Sequence, residues 1–215
     1  MIKLDLHVHT LYSYDGFTDP KLMIDVVKRK GIDGVAITDH DVLSNIKFFN
    51  EKNNIIILNG IEISTSEGHL IALGINQSIK KGLSAEETIE KIHELSGIAI
   101  IPHPNDFLAK SINPFKLSIK PDAIEVINSS FSFFSLEKRI AERIAKKLCL
   151  PMVGGSDSHI PETIGDAYTT LTIDSHSIDD ILEAIRKGKT FPKGRATSIV
   201  NKVKKVYLQI KSRKY

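Results

Sequence analysis

The sequence predicts an α/β fold with parallel strand pairing, and three observations carry that prediction. Short apolar runs alternate with segments whose apolar residues recur at helical spacing. The helical segments open on side-chain caps and close on glycines. Histidines and carboxylates gather just at or after the ends of the apolar runs, as they do where parallel strands present an active site at one rim. With 215 residues, 41% of them hydrophobic, the chain fills one sizeable core, which excludes disorder and two separate domains.

The elements follow in order. Residues 2–8 form a short apolar run that ends in polar residues. Asp19-Pro20 then supplies a cap and a first-turn proline for a helix carrying Leu22, Met23, Val26 and Val27, closed by Gly31. Strands are expected at 34–37, 55–58 and 69–74. Ser84-Ala85-Glu86-Glu87 has capping-box form and opens a helix ending near Ser96-Gly97. Further strands fall at 98–101, 123–127 and 152–153. Between the last two lies a helix with Leu136, Ile140, Ile144 and Leu148 on one face, and Ser177 opens another that stops at Gly188. A barrel and an open sheet both fit this alternation.

Charge is unevenly placed. Eight of the 29 basic residues and none of the 26 acids lie in residues 193–215, so the body is acidic and the tail basic. Ile199, Val203, Val206 and Ile210 recur at helical spacing, so residues 196–215 are expected to form a basic amphipathic helix packed on the body formed by residues 1–195. A nucleic-acid arm is the alternative; no recognisable binding motif favours it. The lone Cys149 excludes an internal disulfide framework and multi-thiolate metal sites. No apolar run is long enough to span a membrane and no signal-peptide core is present, which implies a cytoplasmic protein without a membrane partner.

His7-Val8-His9 is the sharpest local signal, because residues two apart on a strand point to the same side and both imidazoles can reach one ion. In Asp39-His40 the adjacent side chains diverge, so His40 is taken as the ligand and Asp39 as a supporting or proton-handling group. Glu62 is flanked by isoleucines, a setting in which a carboxylate needs a cation or a strong partner. Pro102-His103-Pro104 is expected to hold His103 extended and rigid. Asp157 and His159 repeat the two-residue spacing after a glycine turn. Asp15 precedes Gly16 and is either a turn residue or a ligand, and His69 begins a strand rather than ending one. Nitrogen and oxygen donors without thiolate suit zinc, manganese or iron(II), and nine are too many for one ion. Two or three divalent ions sharing Glu62 as a bridge account for the number.

These motifs, Asp5-Leu6-His7-Val8-His9-Thr10, Ile37-Thr38-Asp39-His40, Gly60-Ile61-Glu62, Pro102-His103-Pro104 and Gly155-Ser156-Asp157-Ser158-His159, resemble the PHP (polymerase and histidinol phosphatase) family over residues 2–195. The resemblance implies a distorted TIM-like barrel of seven βα units, with a trinuclear metal site at the C-terminal ends of the strands. It implies a first ion held by His7, His9, Glu62 and Asp157. A second would share Glu62 and add His69 and His103, and a third would take Asp15, His40 and His159. Asn128 resembles a pocket residue of the family. The activity implied is phosphoester hydrolysis by a metal-bridging hydroxide, with Asp39, Glu62 and His159 as the catalytic candidates. A small phosphomonoester of histidinol-phosphate or nucleotide type is the expected substrate, with Lys193 and Arg195 as candidates to hold its distal part. A nuclease or oligonucleotide phosphodiesterase and a non-catalytic metal-stabilised module are the alternatives.

Overall fold

The computed structural model describes residues 1–44, 55–104, 110–173 and 176–212, so Arg213 and Lys214 of the basic tail lie outside the described residues. Strands β1 (Ile2–Val8), β2 (Gly34–Ile37), β3 (Ile56–Ser64), β4 (His69–Leu73), β5 (Ile98–Ile101), β6 (Ala123–Asn128) and β7 (Met152–Gly155) follow one another across a single sheet. It continues past β1 with β8 (Ala167–Leu171) and β9 (Thr190–Gly194). The sheet curls on itself. Just beyond β7, Ser158 pairs in parallel with Val8, and His9 N donates to Ser158 O at 2.8 Å. At the other end of the seam, the Thr169 hydroxyl on β8 bonds both the N–H and the C=O of Gly154, at 2.8 and 2.9 Å. The result is the expected distorted barrel.

Two features depart from uniform βα alternation. β4 runs antiparallel to both β3 and β5. Only four residues, closed by a Thr65–Gly68 turn, separate β3 from β4, and a parallel return needs a crossover of a dozen or more residues. β8 and β9 pair antiparallel at the β1 side. β3 also runs to Ser64, well past the expected end at 58, so Glu62 sits inside a strand.

Helices α1 (Pro20–Lys30), α2 (Ala85–Glu94) and α3 (Phe134–Leu148) cover the outer face of the sheet, and α4 (Ile178–Arg186) reaches its interior. The local signals act as anticipated: Asp19 caps α1, Gly31 closes it at φ 65°, and Ser84 and Glu87 complete the capping box of α2. Ile2, Leu4 and Leu6 of β1 share one apolar cluster with Leu58, Ile71, Leu73 and Ile100 and with Ile181, Leu182 and Ile185 of α4. α4 therefore plugs the barrel at one end.

The last helix, α5 (Ile199–Ser212), corrects an expectation. No residue of it is buried, and Ile199, Val203, Val206 and Ile210 are 80%, 63%, 52% and 56% exposed. The apolar stripe does not pack on the barrel. The side that faces the barrel carries Asn201, Lys202, Lys205, Leu208 and Gln209, all half-buried. At about 100° per residue this side is turned roughly 130° from the apolar stripe. The helix is fastened by polar bonds: Thr197 N to Ser129 O at 2.8 Å, Lys202 Nζ to Phe131 O at 2.8 Å, and Lys204 to Glu162 at 2.6 Å.

Candidate metal centre

The rim opposite α4 collects the polar residues, and irregular strand pairing puts them there. The β1–β2 register slips between Asp5 and Val8. Before the slip, even positions of β1 face the α4 cluster; after it, Val8 packs outward with Met23 and Val27 of α1. His7 and His9 thereby turn to the inside. The β6–β7 pairing slips in the same way between Glu125 and Ile127, and Asn128 rather than Ile127 joins the interior polar groups. Gly155 makes room for this, since a side-chain carbon there would lie 2.5 Å from His7 Cβ.

All nine expected ligands gather at this rim, where Glu62, 1% exposed, lies within 3.3 Å of His7, His9, His40, His69 and His103. Glu62 Oε2 lies 3.3 Å from Nε2 of both His7 and His9. Asp157 Oδ1 is 3.7 and 3.4 Å from the same two nitrogens, which are themselves 3.2 Å apart. A tetrahedral ion with bonds of about 2.0 Å has ligand–ligand edges of about 3.3 Å; the His7, His9 and Glu62 atoms are spaced for such an ion, and Asp157 stands beside the two histidines. On the other side of the carboxylate, Glu62 Oε1 lies 3.0 Å from His69 Nδ1 and 3.1 Å from His103 Nε2. His69, the least regular of the expected ligands, thus stands beside His103. Asp15 Oδ2 is 3.0 Å from His159 Nε2 and 3.8 Å from His40 Nε2. His40 has a second approach, its Nδ1 lying 3.2 Å from Glu62 Oε2. Asp15 Oδ1 and His40 Nδ1 are buried without a hydrogen-bond partner among the described residues. Orphaned donor atoms of this kind fit a cation.

Partners behind the ring set the tautomers. Glu125 Oε1 accepts from His7 Nδ1 at 3.1 Å, so that His7, once neutral, presents its Nε2 lone pair inward. The carbonyl of Asp157 accepts from His159 Nδ1 at 3.0 Å with the same consequence. Ser13 Oγ bonds His9 Nδ1 and His40 N, tying two ligand segments together. Asp5 accepts from the backbone N–H of Ser156 and Gly165 and joins β1 to the β7 loop. Burial raises its pKa to about 6 against these bonds. Backbone strain marks the same segments: His103 and Asp157 sit at φ 32° and 52°. His103 is therefore not held extended by its flanking prolines.

Electrostatics divides the ring. Burial alone would raise the pKa of Glu62, but His7, His40 and bonds from His103 and His69 hold it well below the usual range. Asp157 is likewise held low by His7 and His9 against burial, and Asp15, chiefly by His159, falls to about 2. Burial would lower His9, yet Asp157 and Glu62 raise it to about 9; His7 is raised against burial by Glu125, Asp157 and Glu62. Burial, with His9, takes His40 down to about 4. The carboxylates are thus ionised and His40 neutral at pH 7, as cation ligands must be.

Three expected residues stand outside the ring. Asp39 accepts from Thr10 N, Thr10 Oγ1 and Ser44 Oγ, so its carboxylate fixes the turn after β1 instead of entering the ring. Arg195 pairs with Asp166 at 3.0 Å, its side chain 77% exposed, and Lys193 is exposed on β9. Asn128 does reach the site, donating to Glu125 at 2.9 Å and toward Asp157 at 3.4 Å. Sequence reasoning missed Glu125; its only signal is an acid inside the apolar run Ala123-Ile124-Glu125-Val126-Ile127. It also missed Lys202 and Lys205, which line a cleft of about 350 Å³ together with Asp157 and His159.

Fold and donor set together define a class: a distorted α/β barrel with a candidate polynuclear metal centre at one rim. A PHP-associated family model matches residues 136–190. Uncharacterized protein MJ1587 of Methanocaldococcus jannaschii is 36% identical over 167 residues, covering 69% of this chain and 98% of that protein. In fold, the chain is similar to a two-domain protein of Bacteroides vulgatus containing a predicted PHP-like metal-dependent phosphoesterase. The TM-score is 0.73 and the identity 22%, over 90% of this chain and 65% of that one. It is also similar to the lesion-specific endonuclease EndoQ of Pyrococcus furiosus, with a TM-score of 0.65 and 18% identity over 86% of this chain and 56% of that one. The chain belongs to the PHP family.

Proposed function

We propose that the protein is a metal-dependent phosphoesterase acting on a small phosphomonoester. The observation that carries this reading is the placement of Glu62, with one oxygen toward His7 and His9 and the other toward His69 and His103. A carboxylate shared between two cation sites is suited to in-line displacement at phosphorus. We assign His7, His9, Glu62 and Asp157 to a first ion, Glu62, His69 and His103 to a second, and Asp15, His40 and His159 to a third. Zinc, manganese and iron(II) match these donors. When bound, such ions supply Lewis acidity toward phosphoryl oxygens and a water of lowered pKa. The chain itself positions and excludes. Glu125 and the Asp157 carbonyl fix imidazole tautomers, Asn128 steadies Asp157, and the buried ring keeps bulk water from the reacting centre. Asp157 and His159 line the cleft, so substrate meets the site there.

The nuclease reading has one observation in its favour, the basic side chains of α5 along the same cleft. Metal content measured by mass spectrometry, followed by a panel of phosphomonoesters, nucleotides and short oligonucleotides with each metal restored, tests the choice. We expect chelator-sensitive monoester turnover with weak salt dependence. A metal-loaded protein inert toward every monoester contradicts the proposal. Turnover of oligonucleotides alone, falling steeply with salt, selects the nuclease.

A further inference from the structure

The basic tail does not act as a uniform charge. Lys202 is bonded to the carbonyls of Phe131 and Ser130, and Lys204 is paired with Glu162. Lys205 makes no hydrogen bond or ion pair with a described residue. It is half-buried on the barrel-facing side of α5 and lines the cleft that opens onto Asp157 and His159. A cation facing a metal centre repels it, and the repulsion is relieved when an anion lies between them. The cleft, at about 350 Å³, has the volume of a small-molecule pocket and is walled by Ile160 and Val206 as well as by Ser130 and Asn201.

From this geometry we infer that Lys205 is a specificity-determining residue that binds a second anionic group, a phosphate or carboxylate, on a small phosphoester whose scissile phosphate sits at the metal ring. The inference rests on the phosphoesterase reading and narrows it to a substrate carrying two anionic groups. α5 is then one wall of the active-site cleft, its orientation set by lysines rather than by its apolar stripe.

The test uses the full-length, manganese-loaded protein with 1,3-propanediol monophosphate, 1,3-propanediol bisphosphate and a phosphorylated hydroxy acid of similar length. Lys205→Gln should lower the ratio of kcat/KM for the bisphosphate to that for the monophosphate by about 10- to 100-fold, mostly through KM, with Lys205→Arg restoring much of it. The phosphorylated acid shows whether carboxylate serves as well as phosphate. An unchanged ratio in Lys205→Gln overturns the inference, and so does a loss confined to a short oligonucleotide. If the wild type turns over none of these esters, the phosphoesterase reading is what has failed. Calorimetric binding of the bisphosphate then decides the role of Lys205. About tenfold weaker binding in Lys205→Gln upholds it and equal binding rejects it. An unaltered melting temperature is expected in both variants, because Lys205 anchors nothing among the described residues.

Discussion

At the α4 end of the barrel, β1 presents Ile2, Leu4 and Leu6 to Leu182 and Ile185; at the other end, the same strand presents His7 and His9 to Glu62. One strand serves both ends because its pairing slips between Asp5 and Val8. β6 repeats the device, with Ala123 in the plugged end and Asn128 at the rim. The comparison teaches a division of labour. Apolar burial at one end holds the fold, and that allows the other end to carry a ring of charges that would not hold together on its own.

Four changes sharpen or break this comparison. Glu62→Gln should have the largest effect, a loss of activity of about 10³-fold or more, since an amide is a poor bridge between cations. Circular dichroism should show a folded chain and mass spectrometry a sharply reduced metal content; wild-type turnover would break the division. Leu182→Ala removes a nearly buried side chain from the plug, 4% exposed. It should cost about 2–5 kcal/mol in urea unfolding, with metal per folded chain unchanged. A variant that stays stable but loses metal would show that the two ends are not separable.

Glu125→Gln comes next. It disturbs the carboxylate that receives His7 Nδ1 and the N–H of His103, and chelator competition should find metal affinity about 10- to 100-fold weaker. The smallest and most gradual effect is that of pH. His9 is raised from 6.5 to about 9 in the metal-free fold, so its protonated form stabilises that fold fully below pH 6.5, and the contribution is lost as pH rises through about 9. Metal must displace that proton, so affinity should climb over the same interval with protons released on binding. Calorimetry in buffers of different ionisation enthalpy checks this; affinity independent of pH would contradict the His9 assignment.

Sequence reasoning singled out the residues that gather at this rim because they are punctuation: His7, His9, His103, Asp157 and His159 interrupt apolar runs at their ends. It also located the helices, whose caps at Asp19 and Ser84 act through local bonds. What escaped it depends on pairing. The reversal of β4 follows from a connection too short to cross over, while the extension of β3 to Ser64 depends on its pairing with β4 over residues 60–64. Glu125 reads as one acid in a strand until the slip in β1 turns His7 inward onto it. The direction α5 faces escaped for a different reason: amphipathicity assumes that the apolar stripe packs inward, and here the polar bonds of Thr197, Lys202 and Lys204 fix the helix with that stripe exposed.

The central claim is that Glu62 is shared between ions. Anomalous scattering from crystals of the manganese-loaded protein tests it most directly. The account predicts one ion on Glu62 Oε2, within bonding distance of His7 and His9, and another on Oε1 beside His69 and His103. A single ion, or two ions neither of which touches Glu62, would contradict it.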